Sequence, residues 1–304
     1  MRDLTVPRLS TTYLTTNPMS HPLLIEGMHG LGDNFYQRCV LCEASKSREI
    51  FLQTCWPQLY ADLPIKCLKP ITRLRTQAKN LERSWDWATC PGLVDHQRLH
   101  YMGHPEVSML EALCMEMRVK TDTLDFTGPP TGKPPVEGRY VVVRPSTIRQ
   151  EWHASARNPA PGLIGQAAQA LREHFRIISV ADISPPHEIL VDPPFEADEV
   201  YHRGELHVEQ LLSLVANATA CVGGVGWLLP ACVAYRVPLL LLFGGCLGHN
   251  GAARVLDPRM DTRRICGAMP DEPCFCTRSD HTCAKRITGF SAHIDRFLAT
   301  IRDA

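Results

Sequence analysis

The sequence has no excess of charge of either sign. Its 304 residues include 32 lysines and arginines and 32 aspartates and glutamates, so the formal net charge is zero with histidine neutral. Non-specific nucleic-acid binding depends on a broad positive field and cannot be argued from this balance. Any basic surface must therefore be local.

Long apolar runs are also missing. The first 20 residues lack the apolar core of a secretory signal, and the longest apolar run, VPLLLLF at 237–243, is far too short to span a bilayer. We therefore expect a cytoplasmic protein without a transmembrane segment. In that compartment the 13 cysteines favour reduced thiols or a metal site over a disulfide framework.

A segment rich in proline and glycine divides the chain into two comparable halves. Residues 127–138, TGPPTGKPPVEG, contain four prolines and three glycines and cannot continue a helix or an inner strand. On each side, apolar runs typical of buried strands alternate with segments of helical periodicity. The first strand is LLI at 23–25, and the second series begins with RYVVVRP at 139–145.

This alternation predicts an α/β protein of two doubly wound, Rossmann-like domains with an inter-domain cleft. The chain length also favours two domains over one. We expect one domain over 1–130 and a second over 131–285. A C-terminal helix over 286–304 could pack back on the first domain.

The most informative segment is TACVGGVGWLLPACVAYRVPLLLLFGG, residues 219–245. A strand ends at Gly223 and Gly224, the backbone turns near Gly226, and a helix begins. Such a turn presents free N–H groups and the positive end of a helix to an anion, typically a diphosphate. Glycine permits the close approach that a Cβ atom would block. The alternative is a tight strand-to-helix turn without a ligand.

The order of these motifs resembles the donor domain of heptosyltransferase-like glycosyltransferases, which have the GT-B fold. The segment GELHVEQLLSLVANA precedes the Gly-Gly turn, and RVP, a strand and FGG follow it. In that family the first strand ends in a Gly-Asp pair, matched here by Gly32 and Asp33. The tail PCFCTRSDHTCAKRI is similar to the family's Pro-Cys…Cys tail. The resemblance covers roughly 22–45 and 139–300.

The resemblance implies an inverting glycosyltransferase that needs a nucleotide-sugar donor and no catalytic cofactor. The first domain would bind the acceptor and the second the donor. Asp33 would be the base that takes the acceptor's hydroxyl proton, with Gly30 and Gly32 at the donor. The alternative for Asp33 is an N-cap of a helix beginning at Asn34. His29 is a second candidate base or a substrate contact.

The family's loop after the first strand of the donor domain supplies a cation and hydroxyl groups to the donor phosphates. Here that loop is RPSTIRQEWHASARNP, residues 144–159. Arg144, Arg149 and Arg157 are candidates because guanidinium groups bind phosphate oxygens bidentately, and Ser146 could donate a hydrogen bond. The alternative is three solvated arginines.

Two departures concern the Gly-Gly turn. Family members usually carry an acid and a hydroxyl residue after it and then a histidine, where this chain has Val225, Gly226 and Pro230. Backbone N–H groups are then the expected contacts with the diphosphate. In the loop after FGG, His249 and Asn250 could contact the donor phosphate or sugar, or the loop could be a plain connection.

The tail holds Cys274, Cys276, His281 and Cys283, which could form a tetrahedral structural zinc site. The Cys-x-Cys spacing is tighter than the usual Cys-x-x-Cys. Buried free thiols or one disulfide are the alternatives. Nothing in the pattern indicates a catalytic metal.

One stretch is strongly basic. Residues 65–85, IKCLKPITRLRTQAKNLERSW, contain six lysines and arginines and one acid. A solvated helix face is the default interpretation, but the imbalance also fits a polyanionic acceptor contacted by Arg73, Arg75 and Lys79. That acceptor would be a lipopolysaccharide-type glycan or a hydroxymethylated pyrimidine in phage-type DNA.

Two other classes remain as alternatives. A nucleotide-binding or glycan-binding GT-B module without activity would explain the departures after Gly224. A Rossmann-type NAD-dependent enzyme would need Gly-x-Gly-x-x-Gly after the first strand, whereas GMHGLGD at 27–33 reads Gly-x-x-Gly-x-Gly and ends in an acid. The sequence predicts no oligomeric state.

Overall fold

The structure is a computed structural model that describes residues 21–83, 85–151, 155–248, 250–276 and 281–302. The N-terminal half, before the proline-rich segment at 127–138, begins with a glycine-containing strand–helix unit. Its elements are β1 (Leu23–Glu26), α1 (Leu31–Ala44), β2 (Ile50–Gln53), β3 (Ile65–Leu68), α2 (Arg75–Leu81), β4 (Asp95–Arg98) and α3 (Met109–Met117).

The C-terminal half repeats the alternation of strands and helices. Its elements are β5 (Tyr140–Arg144), β6 (Thr147–Arg149), α4 (Leu163–Arg172), β7 (Arg176–Val180), β8 (Glu188–Leu190), β9 (Glu199–Tyr201), α5 (Val208–Ala216), β10 (Ala220–Gly224), α6 (Leu228–Tyr235), β11 (Leu239–Leu242), α7 (Ala252–Val255), β12 (Ile265–Ala268) and α8 (Phe290–Arg302). A short 3₁₀ turn at Ser155–Arg157 follows β6.

Both main sheets are parallel and doubly wound. The N-terminal sheet has four strands in the order β3-β2-β1-β4, and the C-terminal sheet has six in the order β12-β11-β10-β5-β7-β9. Strands β6 and β8 form a separate antiparallel pair. In each main sheet the strand order reverses beside the first strand, and ligands bind in the crevice that such a reversal opens. The predicted α/β, Rossmann-like fold with parallel sheets is confirmed.

Strands such as β2, β5, β10 and β11 are apolar because helices cover both faces of the sheets. All four residues of β11, Leu239–Leu242, are buried, as are three of the four in β2. Strands covered on both faces appear as continuous apolar runs rather than alternating patterns. This property made the strands recognisable in the sequence.

The two halves pack directly on each other through α1 and α6. One apolar cluster contains buried residues of both halves, such as Leu41 and Leu228. The rings of Phe35 and Tyr235 meet edge to face, with centroids 6.3 Å apart. The Tyr36 hydroxyl donates to the Val255 carbonyl at 2.6 Å, which adds a polar contact across the junction.

Helix α8 packs on the C-terminal sheet and not on the N-terminal half, where the sequence allowed it to fold back. Its buried face joins the second apolar cluster, whose members lie on β5, α4, β7, β10 and β11. Residues Phe290, Ile294, Phe297 and Ile301 recur at helical spacing and bury one face of α8.

The predicted boundaries near 130 and 285 fall between α3 and β5 and between β12 and α8. They remain predictions about independent folding. Among the described residues, no helix combines the length and apolar character needed to cross a bilayer.

Candidate active site

A cavity of about 520 Å³ lies between the two halves, at the carboxyl ends of their central strands. The N-terminal half contributes the start of α1, part of α2 and the loop after β4. The C-terminal half contributes the loops after β5, β6 and β10. Predicted site residues that line the cavity are Gly30, Gly32, Asp33, Lys79, Arg144, Arg149, Arg157, Gly226 and Asn250.

Asp33 lies in the first turn of α1, and the turn before it depends on glycine. Helix α1 begins at Leu31 with Gly30 as its N-cap, so Asp33 is not the N-cap itself. A Cβ atom on Gly30 would overlap the Asp33 carboxylate, which lies directly over the Gly30 backbone. A Cβ atom on Gly27 would lie 2.7 Å from the Gln53 carbonyl oxygen. The glycines therefore let the loop turn tightly enough to bring Asp33 to the cavity.

The surroundings of Asp33 shift the pKa of its carboxyl in both directions. Burial raises the pKa of its carboxyl above the usual value, whereas hydrogen bonds from the Tyr101 side chain and the Gly30 backbone lower it. The positive charge of Arg157 and the neighbouring His29 also favour the carboxylate. A carboxylate whose proton affinity is increased in this way is a stronger base than one on the surface. It can therefore accept a proton inside the cavity.

The three predicted arginines are brought together opposite Asp33. Arg149 pairs with Glu188, with Nη2 and Oε2 2.7 Å apart, and Thr147 Oγ1 donates to Glu188 Oε1 at 2.8 Å. Burial lowers the pKa of Arg144 to about 10, and the charge of Arg157 acts in the same direction. Mutually repelling, desolvated guanidinium groups with a single carboxylate among them can bind an anion.

The Gly-Gly turn supports this arginine cluster and does not itself line the cavity. A Cβ atom on Gly223 would lie 3.1 Å from Leu228 Cδ2, and one on Gly224 would lie 3.2 Å from Pro159 Cδ. On Gly244, in the FGG motif, a Cβ atom would overlap the Ala156 carbonyl oxygen. These glycines leave room for the loop that carries Arg157. In the next turn, Val225, Gly226 and Trp227 line the cavity instead.

Other predicted residues lie elsewhere. Ser146 is buried and its backbone N–H donates to Asp192, while Arg73 is exposed, and neither lines the cavity. The His29 side chain does not line it either, although the His29 carbonyl accepts from Trp56 Nε1 at 2.8 Å. His249 lies outside the described residues.

Arg75 and Lys79 bridge the two halves. Arg75 Nη2 lies 2.9 Å from Asp182 Oδ2 and donates to the Asp182 carbonyl at 2.8 Å. Lys79 Nζ donates to the carbonyls of Arg203 and Gly204 at 3.0 and 2.6 Å. The predicted acceptor contacts thus hold α2 against the loops after β7 and β9.

Several cavity residues escaped the sequence reasoning. Tyr101 lies in a loop without a motif, and Glu188 lies on a three-residue strand. Asp182 follows β7, at a strand end where a ligand contact is commonly found, so its position was the one available signal. An apolar wall was also missed; it consists of Val180, Ala181, Leu206, Val208 and Leu211.

The cysteine tail forms a compact cluster. One ligand atom from each of Cys274, Cys276, His281 and Cys283 lies within 4.8 Å of the others. Cys274 Sγ is 2.8 Å from His281 Nε2, and Cys276 Sγ is 2.9 Å from Cys283 Sγ. All 13 cysteines are free thiols. Three sulfur atoms and one imidazole fit a tetrahedral metal ion, and no disulfide forms in the cluster.

Solved structures with a similar fold include heptosyltransferases and other glycosyltransferases. The iron-containing dodecameric glycosyltransferase TibC from enterotoxigenic E. coli H10407 is 14% identical with a TM-score of 0.62, over 93% of this chain and 76% of that one. The E. coli ADP-heptose lipopolysaccharide heptosyltransferase II is 10% identical with a TM-score of 0.61, over 93% and 99%. A glycosyl transferase family 9 protein of Veillonella parvula DSM 2008 is 8% identical with a TM-score of 0.58, over 93% and 98%.

No protein-family model matches the sequence, and no curated protein matches it. The similarity therefore rests on structure, and at these identities it concerns the fold. The resemblance indicated by the Gly-Asp, Gly-Gly and Pro-Cys motifs is confirmed at that level. The chain has the Rossmann-like GT-B fold of the heptosyltransferases.

Proposed function

We propose that the protein is a nucleotide-sugar-dependent glycosyltransferase. The observation that carries the proposal is that Asp33 and the arginines Arg144, Arg149 and Arg157 face one cavity from opposite halves. A sugar-transfer reaction needs these two features together: a base for the acceptor hydroxyl and a cationic site for the leaving diphosphate.

The donor would bind to the C-terminal half. Five cations and three acids line the cavity, namely Lys79, Arg83, Arg144, Arg149 and Arg157 with Asp33, Asp182 and Glu188. The arginine cluster suits the diphosphate, and the apolar wall around Val208 suits the nucleoside base. TibC, which has this fold, is described in complex with ADP-D-beta-D-heptose. An ADP-sugar is accordingly the first donor to test.

In the proposed reaction Asp33 takes the proton from an acceptor hydroxyl. The acceptor oxygen forms a bond to the anomeric carbon as the bond from that carbon to the diphosphate oxygen breaks. The electron pair leaves with the nucleoside diphosphate, whose charge Arg144 and Arg157 stabilise. A single displacement of this kind inverts the configuration of the anomeric carbon and forms no covalent enzyme intermediate.

We propose a glycan as the acceptor. Four of the six cations in the basic stretch at 65–85 are engaged within the protein: Lys66 pairs with Glu49, Arg83 lies 4.0 Å from Glu209, and Arg75 and Lys79 bind the C-terminal half. The charge of this stretch therefore no longer argues for a polyanion such as DNA. The N-terminal wall of the cavity contains Trp56, Gln77, Asn80, Tyr101 and Met109. Aromatic and amide side chains of this kind suit sugar rings and hydroxyl groups.

We also propose that Cys274, Cys276, His281 and Cys283 hold a structural metal ion. His281 directs Nε2 at the cluster, 2.8 Å from Cys274 Sγ, so this nitrogen is placed to bind the ion with the three sulfur atoms. Zinc is the ion predicted from the donor set. TibC is described as iron-containing, so iron is the alternative. Elemental analysis of the purified protein distinguishes the two ions.

The experiment that tests the catalytic proposal measures donor binding and donor turnover separately. Thermal unfolding of the protein is followed with ADP, UDP, GDP, CDP and NAD(P), since a ligand that binds only the folded state raises Tm. ADP release from ADP-heptose is then measured for the wild type, for Asp33→Asn and for the exposed control Asp122→Asn.

A Tm increase with one nucleoside diphosphate, together with turnover that Asp33→Asn abolishes and Asp122→Asn retains, supports the proposal. Donor binding without turnover in the wild type would instead identify a non-catalytic binding module. A Tm increase with NAD(P) alone would identify the Rossmann-type alternative.

A further inference from the structure

We propose that Tyr101 is a positioning residue for Asp33 and that Arg254, from the opposite half, holds Tyr101 in place. The role of Asp33 as the base rests on the proposed function. The contacts among the three residues do not. Their relationship therefore has a test that needs no substrate.

The first contact joins Tyr101 to Asp33. Tyr101 lies in the loop after β4, lines the cavity and makes a side-chain hydrogen bond with Asp33. Burial raises the pKa of Tyr101, and the Asp33 charge raises it further, so the phenol keeps its proton and acts as the donor. Together with the hydrogen bond from the Gly30 backbone, this contact restricts the rotation of the Asp33 carboxylate.

The second contact joins Arg254 to the loop that carries Tyr101. Arg254 lies on α7, and its guanidinium donates to the carbonyls of Tyr101 and His104, both at 2.6 Å, and to that of Val107. The guanidinium carbon also lies 5.4 Å from the centroid of the Tyr101 ring. One buried side chain thus fixes the backbone at both ends of the 101–107 loop and the ring between Asp33 and α7.

The burial of Arg254 indicates that this anchoring matters. Arg254 is only 4% exposed, and no carboxylate of the described residues lies within ion-pair distance of it. A buried guanidinium without an acidic partner costs folding free energy, and its Nε has no hydrogen-bond partner in the described part of the chain. Hydrogen bonds to three backbone carbonyls offset part of this cost. An apolar residue would fill the same space more cheaply but could not hold the loop.

Titratable groups on three segments act on Asp33. His29 and Tyr36 lie on its own segment, Tyr101 on the loop after β4 and Arg157 on the turn after β6. The Tyr101 hydrogen bond is the largest influence that opposes the effect of burial on the Asp33 carboxyl. Loss of that bond should therefore raise the pKa of Asp33 further.

The test measures the pKa of Asp33 directly in the full-length protein. The ¹³C resonances of labelled aspartate carboxyl groups are followed against pH, and Asp33→Asn identifies the Asp33 signal. Tyr101→Phe removes only the hydroxyl group, and Arg254→Lys keeps a cation that cannot reach three carbonyls. Tyr140→Phe, which loses a buried hydrogen bond to the Leu214 carbonyl away from the cavity, and the exposed Arg263→Lys are the matched controls.

We expect Tyr101→Phe and Arg254→Lys to raise the pKa of Asp33 and both controls to leave it unchanged. In ADP-heptose turnover, the acid limb of the pH profile should move to higher pH with Tyr101→Phe, with kcat at pH 7 reduced about tenfold, the typical value of a hydrogen bond to a charged group. The dissociation constant for ADP should stay the same.

An unchanged Asp33 pKa in Tyr101→Phe would overturn the proposal, whatever the enzyme activity. An effect of Tyr101→Phe but none of Arg254→Lys would overturn the anchoring role of Arg254. A raised pKa in a protein that neither binds nor turns over any nucleotide sugar would support the Tyr101–Asp33 relationship and refute the proposed function instead.

Discussion

Gly32 and Trp227 meet at the point where the two halves of the protein touch. A Cβ atom on residue 32 would lie 2.9 Å from the Trp227 Cα and 3.2 Å from its backbone nitrogen. Both residues also line the cavity. The glycine next to Asp33 therefore sets how closely Asp33 approaches the turn at the end of β10.

Gly32→Ala should destabilise the protein, because the new methyl group would meet backbone atoms that cannot rotate away. Overpacking of this kind costs about 1–3 kcal/mol of the free energy of unfolding. Chemical denaturation measures this cost. Gly92→Ala, where a Cβ atom meets nothing within 4 Å, is the control and should be nearly neutral. Equal stability of the two variants would show that the junction can open at little cost.

Asp33→Asn should reduce turnover about 100-fold or more, because the general base is lost. The affinity for ADP should stay the same. The substitution should also stabilise the folded protein at pH 7. Because burial raises the pKa of Asp33 in the folded state, the carboxylate is less favourable there than in the unfolded chain. The folded state binds the proton more tightly, so wild-type stability rises as the pH falls through the native pKa.

The free-energy difference between Asp33→Asn and the wild type should therefore shrink as the pH falls. Denaturation curves at several pH values, with Asp122→Asn as the control, measure this dependence. A difference that grows on acidification would mean that the native pKa of Asp33 is lowered and not raised.

Arg157→Ala should weaken ADP binding about 10- to 100-fold, since charge-assisted hydrogen bonds contribute more than neutral ones. It should also raise the pKa of Asp33, because a nearby positive charge is lost. Calorimetry with ADP measures the first effect, and Arg263→Ala at an exposed site is the control. Unchanged ADP affinity would remove the arginine cluster from the donor site.

Cys276→Ser should abolish metal binding at the proposed site and lower Tm, whereas Cys90→Ser, outside the cluster, should change neither. Loss of the metal ion should also weaken ADP binding at the proposed donor site. Lys285, two residues after Cys283, donates from Nζ to the carbonyls of Ser155 and Asn158 at 2.7 and 2.8 Å, and these residues flank Arg157. Lys285→Met should weaken ADP binding without reducing the metal content. Elemental analysis and calorimetry test both statements, and full ADP affinity in the metal-free protein would contradict the link.

Local pattern was enough to predict part of this protein. Helical and strand periodicities depend on neighbouring residues, so the doubly wound α/β fold could be predicted from alternating apolar runs. Asp33 and the arginines of the 144–157 loop were chosen from the family resemblance, and they come to one cavity because the carboxyl ends of parallel strands share one edge. The cysteine cluster was predictable because its four residues lie within ten positions of one another in the sequence.

Tertiary structure decided which of these residues meet and what each one touches. Arg254 and Tyr101 are 153 residues apart in the chain, and Arg75 and Asp182 are 107 apart, so no local spacing could pair them. The Gly-Gly turn illustrates the same limit, because a glycine required for a ligand and one required by a packed loop look identical in sequence. The physical reason is that periodicity depends on backbone geometry over a few residues, whereas the pKa of Asp33 depends on burial and on side chains brought from two distant segments, those of Tyr101 and Arg157.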